Sequence, residues 1–327
     1  MPRSPSRNPD DRHVRRELAR RRIRRQRLLA VGVVLLVLAG GGVALGYTLA
    51  QRAGSSDSVA DAGTAQDELP RGGRRIFPRF RVVAFYGAPQ DAELGALGVG
   101  SPHDAGRRLA HQAGGYRRGG RPVLPAFELI ATTVHSAAGA DGDYSQRQTG
   151  RTLGRYLRAA RRRRALLILD LQPGRAPFMR EARSFRRFLR EPDVSLALDP
   201  EWSMGAGEVP GREIGSTDAA TVNEVSRYLS RIVRRHRLPQ KLLVVHRFTS
   251  DMISDEHRLE RHRGVALTVN VDGFGDRPNK ISKYREFTRG RSDQHHGFKL
   301  FYREDTDLMR PRDVLRLRPR PELVVYE

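Results

Sequence analysis

The sequence contains no cysteine. Disulfides, thiolate catalysis, cysteine-ligated zinc and a lipid-modified cysteine are therefore excluded. Any domain outside the cytoplasm must rest on its own hydrophobic core. Lysine is also scarce, with Lys241, Lys280, Lys283 and Lys299 the only four among sixty basic residues. There is a single tryptophan, Trp202. Neither a GxGxxG nor a GxxxxGK(S/T) run follows the first strand-like segment, which removes the usual cradle for nucleotide phosphates. Acidic residues are too few to balance the arginines, leaving a formal net charge of +23.

Such a charge suggests nucleic acid, but its distribution argues otherwise. Residues 1–27 hold eleven arginines against Asp10, Asp11 and Glu17. The remaining excess is spread over segments that read as helix surfaces. No nucleic-acid partner is expected. A basic exterior favours contact with anionic envelope polymers or lipid headgroups instead.

From Leu28 to Ala50 the chain runs 23 residues without a charge. At about 1.5 Å per residue this spans a hydrocarbon core of roughly 30 Å. The segment lacks the polar stripe of a soluble amphipathic helix, and Gly40, Gly41 and Gly42 are tolerated in a transmembrane one. The arginines before it place the N-terminus in the cytoplasm and everything after Gln51 outside. A cleaved signal peptide ending near Thr48-Leu49-Ala50 is the competing reading; the length of the apolar run favours a retained anchor. Arg24-Arg25 lacks the surroundings of a twin-arginine export signal. Residues 51–75, rich in Ala, Gly, Ser and Asp, read as a flexible tether.

Residues 76–327 form the expected domain. Short apolar runs occur at 82–86, 123–128, 166–170, 194–199, 242–246, 265–272, 298–302 and 323–326. Helix-like stretches fall between them at 104–111, 146–164, 178–189, 218–237, 255–263, 280–289 and near 312–317. Eight such units in about 250 residues predict an α/β fold, a (β/α)8 TIM-type barrel preceded by one transmembrane helix. An open doubly wound sheet is the structural alternative.

Active sites of such barrels lie at the C-terminal ends of the strands. Here those ends carry Tyr86, Glu128, Asp170, Gln172, Asp199, Glu201, Trp202, His246, Asn270, Asp272 and Tyr302. Strand alternation places Ser195, Ala197, Asp199 and Glu201 on one face, with Leu196 and Leu198 on the other. The acidic face should look into the barrel mouth. A single Asp ending a strand is usually a turn former, but five carboxyls and a histidine on one rim point to function. Glycoside cleavage needs a carboxylic acid to protonate the leaving oxygen and a second group for the oxocarbenium-like centre. Glu201 is the expected acid, with Asp199 as partner and Trp202 a surface on which a sugar could stack.

The Asp199-x-Glu201 strand end resembles the catalytic motif of family 18 chitinases and the Asp-x-Glu of family 25 lysozymes. In the chitinase-like case the resemblance implies that Glu201 is the acid and that Asp199 orients a substrate acetamido group. The match departs from the full chitinase motif at Val194 and Ala197, and from the lysozymes at Tyr86-Gly87. The whole pattern also resembles membrane-anchored bacterial barrel domains. The reading is a glycosidase-like barrel at the cell membrane, acting on envelope or extracellular polysaccharide without a cofactor or bound metal. Two alternatives stand beside it. One is a non-catalytic barrel that binds a glycan or partner. The other is metal-assisted hydrolysis using His246 with Asp170, Asp199 or Asp272, although the strand-1 His-x-His of barrel amidohydrolases is absent. The doublet His295-His296 is expected to face solvent at the opposite end. The run 276–280 (DRPNK) reads as a turn, and Arg161–Arg164 as a solvated helix end.

Overall fold

A computed structural model describes residues 68–327 other than 90, 292 and 293. The basic tail 1–27, the apolar segment 28–50 and most of the tether lie outside the described residues. Among the described residues no helix is long and apolar enough to cross a membrane.

Eleven strands are present: β1 (Arg81–Gly87), β2 (Val123–Val134), β3 (Ser145–Arg147), β4 (Leu166–Leu171), β5 (Val194–Leu198), β6 (Thr217–Asp218), β7 (Lys241–Arg247), β8 (Ile253–Ser254), β9 (Val265–Val271), β10 (His295–Leu300) and β11 (Leu323–Tyr326). Eight of them pair in parallel around a ring, β1-β2-β4-β5-β7-β9-β10-β11, and β11 returns to β1. This closed eight-stranded barrel uses every apolar run expected to be a strand. The open-sheet alternative is ruled out by the β1–β11 ladder.

The alternation of side chains builds two cores. Leu167, Leu169, Leu196, Leu198, Leu243 and Val245 point outward into the helix layer. Val82, Ala84, Ala126, Ile168, Ala197, Val244, Ala266 and Val325 point inward. Alanines dominate the middle of the lumen because eight strands leave room for little more. Leu69, Ile76, Phe77 and Phe80 pack into the same inner core and plug the N-terminal end. Backbone amides of Ile76 and Phe77 donate to Gln240 Oε1 at 2.7 and 3.2 Å, fastening the plug to the strand that follows. The packed domain thus begins before Ile76, and residues 68–75 are not part of a free tether.

The four longest helices start on side-chain caps. Ser101, Thr149, Asp218 and Asp276 each accept a hydrogen bond from a backbone amide of the first turn, which satisfies a donor the helix itself cannot. The run 276–280 is therefore no turn: Asp276 caps the helix Arg277–Thr288, with Pro278 in its first turn. The helix expected at 255–263 is absent as well. Asp255 adopts a left-handed backbone and only a short 3-10 turn, Glu256–Arg258, follows. Arg247 and Arg291 hold the buried Glu256 carboxylate at 2.7 and 2.9 Å, so the segment is pulled in as a strap. Nor is Arg161 merely solvated; it pairs with Asp193 at 2.7 Å and Glu191 at 2.6 Å.

Beyond the barrel rim β2 continues, after a register shift between Ile130 and Thr132, into an antiparallel pairing with β3. Thr132 and Arg147 from this hairpin both bond the buried Glu181. That network anchors the helix Phe178–Ser184 beside the mouth.

Candidate active site at the barrel mouth

The topmost inward layer of the lumen is polar. β1 contributes Tyr86, β2 Glu128, β4 Asp170 and β7 His246; β9 contributes Asn270 and, just past its end, Asp272. Gln172 and Asp199 follow β4 and β5 directly. All eight are buried, with Glu128, Asp170, His246 and Asn270 fully so. Tyr86, Glu128, Asp170, Asp199 and His246 converge because each sits two residues beyond a small or apolar lumen residue, as Ala126 precedes Glu128 and Val244 precedes His246.

His246 is the hub. Its Nδ1 lies 2.9 Å from Asp272 Oδ2, and its Nε2 lies 3.1 Å from Glu128 Oε1 and 3.9 Å from Asp170 Oδ1. The Tyr86 hydroxyl is 3.1 Å from Asp170 Oδ2 and 3.3 Å from Asp199 Oδ2. Gln172 donates to that hydroxyl at 3.2 Å and accepts from the Val134 amide. Three buried oxygens in the cluster, Glu128 Oε2, Asp170 Oδ1 and Asn270 Oδ1, have no hydrogen-bond partner. Donor atoms of Glu128, Asp170 and His246 all fall within 4.8 Å of one another. These three could hold a metal ion.

Two residues of the cluster, Lys299 and its partner Glu327, escape a reading of the sequence. Lys299 projects inward from β10, its Nζ 3.0 Å from Asp272 Oδ2 and 2.7 Å from Glu327 Oε2, over the face of the Tyr86 ring at 3.9 Å. It supplies the one permanent cation in a layer of carboxylates. A signal existed: it is one of four lysines in an arginine-rich chain, set between Phe298 and Leu300. The expected boundary of this strand, 298–302, hid its inward phase. The observed β10 starts at His295, so the histidine doublet opens the strand. His296 is buried and bonds the Arg291 carbonyl at 2.9 Å, while His295 pairs with Glu322. Neither simply faces solvent.

Glu201 and Trp202 stand at the mouth, in a 3-10 turn Pro200–Trp202 directly after β5, and both are half-buried. The turn is braced on two sides. Glu201 accepts from the Gly215 amide at 2.7 Å, and Met204 donates to the Gly174 carbonyl at 2.8 Å. A Cβ on Gly215 would lie 2.3 Å from the Ser203 carbonyl oxygen, so only glycine lets the returning loop come this close. Among the described residues nothing hydrogen-bonds the Glu201 carboxyl. Tyr302 is the one expected site residue the structure does not bring to the cluster. β10 has ended before it, and its hydroxyl bonds Gln112 at 2.9 Å while its ring stacks on Tyr326. It lines a neighbouring cleft of about 550 Å³ with Phe85, Arg107 and His111; that cleft reaches the cluster through Glu327.

Burial and crowding move the protonation equilibria apart. Burial, then the charge of Asp199, pushes the Asp170 carboxyl well above its usual range. Burial also raises Asp199, opposed by His246 and Lys299. Glu201 is pushed well up by burial and by Asp199 and Asp272. Burial alone would neutralise His246, but its bonds to Asp272 and Glu128 override this and raise it well above an ordinary imidazole. Asp272 is held ionised against its own burial by Lys299 and His246. Neighbouring carboxyls with proton affinities driven apart are the hallmark of acid–base chemistry.

Together these features define a TIM-type barrel with an acid-rich, partly protonated cluster where catalytic sites of that fold lie. No protein-family model matches the chain, and no curated protein matches it. Several solved structures align with the chain. A 2,3-dimethylmalate lyase of the PEP mutase/isocitrate lyase superfamily aligns at 12% identity and TM-score 0.42, covering 77% of both chains. The spore coat polysaccharide biosynthesis protein spsE of Bacillus subtilis aligns at 9% identity and TM-score 0.39 over 75% of this chain and 59% of its own. A sialic acid aldolase of Ruminococcus gnavus gives 9% and 0.39, over 77% of this chain and 68% of its own. At such identities the likeness is one of fold. It supplies no link to the chitinases and lysozymes that the Asp199-x-Glu201 strand end resembles.

Proposed function

We propose that the barrel mouth is the active site of a glycoside hydrolase-like enzyme, with Glu201 as general acid and Asp199 as its partner. The observation that carries this reading is the state of Glu201. It alone in the cluster combines a place at the opening, partial exposure, a carboxyl without a hydrogen-bond partner among the described residues, and a proton held by burial and by Asp199. A carboxylic acid so placed can deliver its proton to a leaving glycosidic oxygen.

Asp199 supplies the complementary charge. The Tyr86 hydroxyl fixes it from one side; burial raises its proton affinity, and the charges of His246 and Lys299 oppose that rise. As the glycosidic bond breaks, this carboxylate faces the developing positive centre. Water then completes the product, returning a proton to Glu201. Trp202, on the same turn, offers its ring to the apolar face of a sugar. The expected substrate is an envelope or extracellular polysaccharide, and the uncharged segment Leu28–Ala50 would hold the barrel at the outer face of the cell membrane.

The test uses the full chain, assayed for reducing ends released from peptidoglycan, chitin oligomers and common soluble glycans. Turnover that falls about 10²- to 10⁴-fold in Glu201→Gln supports the assignment. Absence of turnover with saturable glycan binding in both proteins would make this a binding barrel and remove the role of Glu201.

A further inference from the structure

We propose that Glu128, Asp170 and His246 form a binding site for one divalent transition ion, Mn²⁺ or Zn²⁺, at the floor of the barrel mouth, with Asp272 as the residue that orients the histidine. This site lies below the Glu201 turn and its existence does not depend on the glycosidase reading.

Three independent observations point to an ion. The first is distance. Two donors each about 2.0–2.2 Å from one ion lie at most about 4.3 Å apart. His246 Nε2 is 3.1 Å from Glu128 Oε1 and 3.9 Å from Asp170 Oδ1. The three donors all lie within 4.8 Å of one another, so the carboxylates need to draw in by about an ångström to close around an ion.

The second is unsatisfied valence. Glu128 Oε2 and Asp170 Oδ1 belong to fully buried side chains and have no hydrogen-bond partner. A buried carboxyl oxygen left bare is unfavourable. Asp170 Oδ1 lies 3.9 Å from His246 Nε2, and Glu128 Oε2 belongs to the carboxyl whose other oxygen meets that nitrogen; these are donors a cation would use.

The third is the arrangement behind the ligands. Asp272 Oδ2 sits 2.9 Å from His246 Nδ1. A carboxylate there holds the Nδ1 proton, so that an ion which displaces the proton from Nε2 meets its lone pair in a fixed orientation. Lys299 holds that carboxylate in turn, at 3.0 Å. The charge balance agrees: four buried carboxyls (Glu128, Asp170, Asp199 and Asp272) and the half-buried Glu327 surround one lysine and one histidine. One imidazole with two carboxylates suits a first-row transition ion better than Ca²⁺ or Mg²⁺, which favour all-oxygen shells.

The experiment strips the full-length protein with chelator and titrates Mn²⁺ or Zn²⁺, with Mg²⁺ and Ca²⁺ as comparators. One Mn²⁺ or Zn²⁺ is expected per chain, with a raised melting temperature. In the Mn²⁺ form, electron-spin-echo modulation should report a directly bound imidazole nitrogen. Glu128→Gln and Asp170→Asn should each weaken binding about 10-fold or more, Asp272→Asn about 10- to 100-fold, and His257→Gln, on the exposed surface, not at all. The proposal is overturned if the wild type binds no stoichiometric ion, if the bound Mn²⁺ shows no imidazole coupling, or if folded Glu128→Gln and Asp170→Asn bind undiminished. The spectroscopic readout needs only the wild type, so a variant that fails to fold leaves the test intact.

Discussion

Lys299 Nζ lies 3.0 Å from Asp272 Oδ2, the same oxygen that meets His246 Nδ1 at 2.9 Å. One carboxylate oxygen therefore joins the barrel's inward lysine to its central histidine. The ammonium also reaches Glu327 at 2.7 Å and covers the Tyr86 face. Replacing it by Met keeps the stem but leaves two carboxyls without their cation. Breaking a buried ion pair from one side typically costs about 3–5 kcal/mol. Lys299→Met should lower stability by that amount in urea unfolding. A loss below about 1 kcal/mol would mean that water reaches these groups freely and that the cluster is not the closed electrostatic unit described here.

Tyr86 bridges the two buried aspartates of β4 and β5. Its hydroxyl has one proton and two acceptors, Asp170 at 3.1 Å and Asp199 at 3.3 Å. Tyr86→Phe keeps the ring under Lys299 and removes that donor together with the acceptor of Gln172. The expected stability loss is about 1–3 kcal/mol, the cost of a buried acceptor left unmade. If Asp199 acts in turnover, kcat should fall about 10-fold or more with KM little changed. An unchanged kcat would detach Tyr86 and its hydrogen bond from the chemistry.

How far the site could be read from sequence follows from strand periodicity. Ser195, Ala197 and Asp199 alternate with Leu196 and Leu198, so the inward phase of β5 was legible, and the same rule found Glu128, His246 and Asp272. β10 defeated it. His295-His296-Gly297 carries little apolar character, and the strand seemed to begin at Phe298, which concealed Lys299 and advanced Tyr302 as a rim residue. The strap 255–263 failed for a different reason. Its charges alternate at helical spacing, but Glu256 is drawn inward by Arg247 and Arg291 from distant segments, and such tertiary demands override local propensity. That Glu128 and Asp170 would share His246 Nε2 required the register of three strands, which no single stretch of sequence encodes.

A second buried carboxylate network lies beside the mouth. Glu181 receives Arg147 Nε at 2.9 Å, Arg147 Nη2 at 2.6 Å and the Thr132 hydroxyl at 3.1 Å. Arg147 comes from the β3 hairpin strand and is partly exposed, whereas Glu181 is 1% exposed. Arg147→Met should therefore cost about 3 kcal/mol, the low end for a pair broken on its exposed side, and loosen β3. Faster hydrogen exchange at 145–147, with the barrel strands unchanged, would show that the hairpin depends on this pair. Unaltered exchange would show that the backbone ladder alone holds it.

The carboxyls also set the pH dependence of folding, best measured with chelator present so that no metal contributes. Asp170, Asp199 and Glu201 bind protons more tightly folded than unfolded, chiefly through burial. Their contribution is fully present below the ordinary carboxyl range and is lost as pH rises through their folded values. His246 acts in the same sense, since its bonds to Asp272 and Glu128 raise it, and its share is lost above the ordinary imidazole value. Asp272 runs the other way: Lys299 and His246 hold it down, so its contribution is present above the ordinary carboxyl value and disappears only in strong acid. Across the neutral range the depressed carboxyl is constant, while the raised carboxyls and imidazole lose their contribution as pH rises; above about pH 7 buried Lys241, lowered to about 7 by its burial, works against them. Urea midpoints should therefore fall from about pH 5 to pH 7. Glu201→Gln removes one of the groups responsible, so its profile should be shallower and its midpoint at pH 8 higher than the wild type's. A wild-type midpoint that rises between pH 5 and pH 7 would show that the cluster is not holding protons, and Glu201 would lose the property on which its role as acid rests.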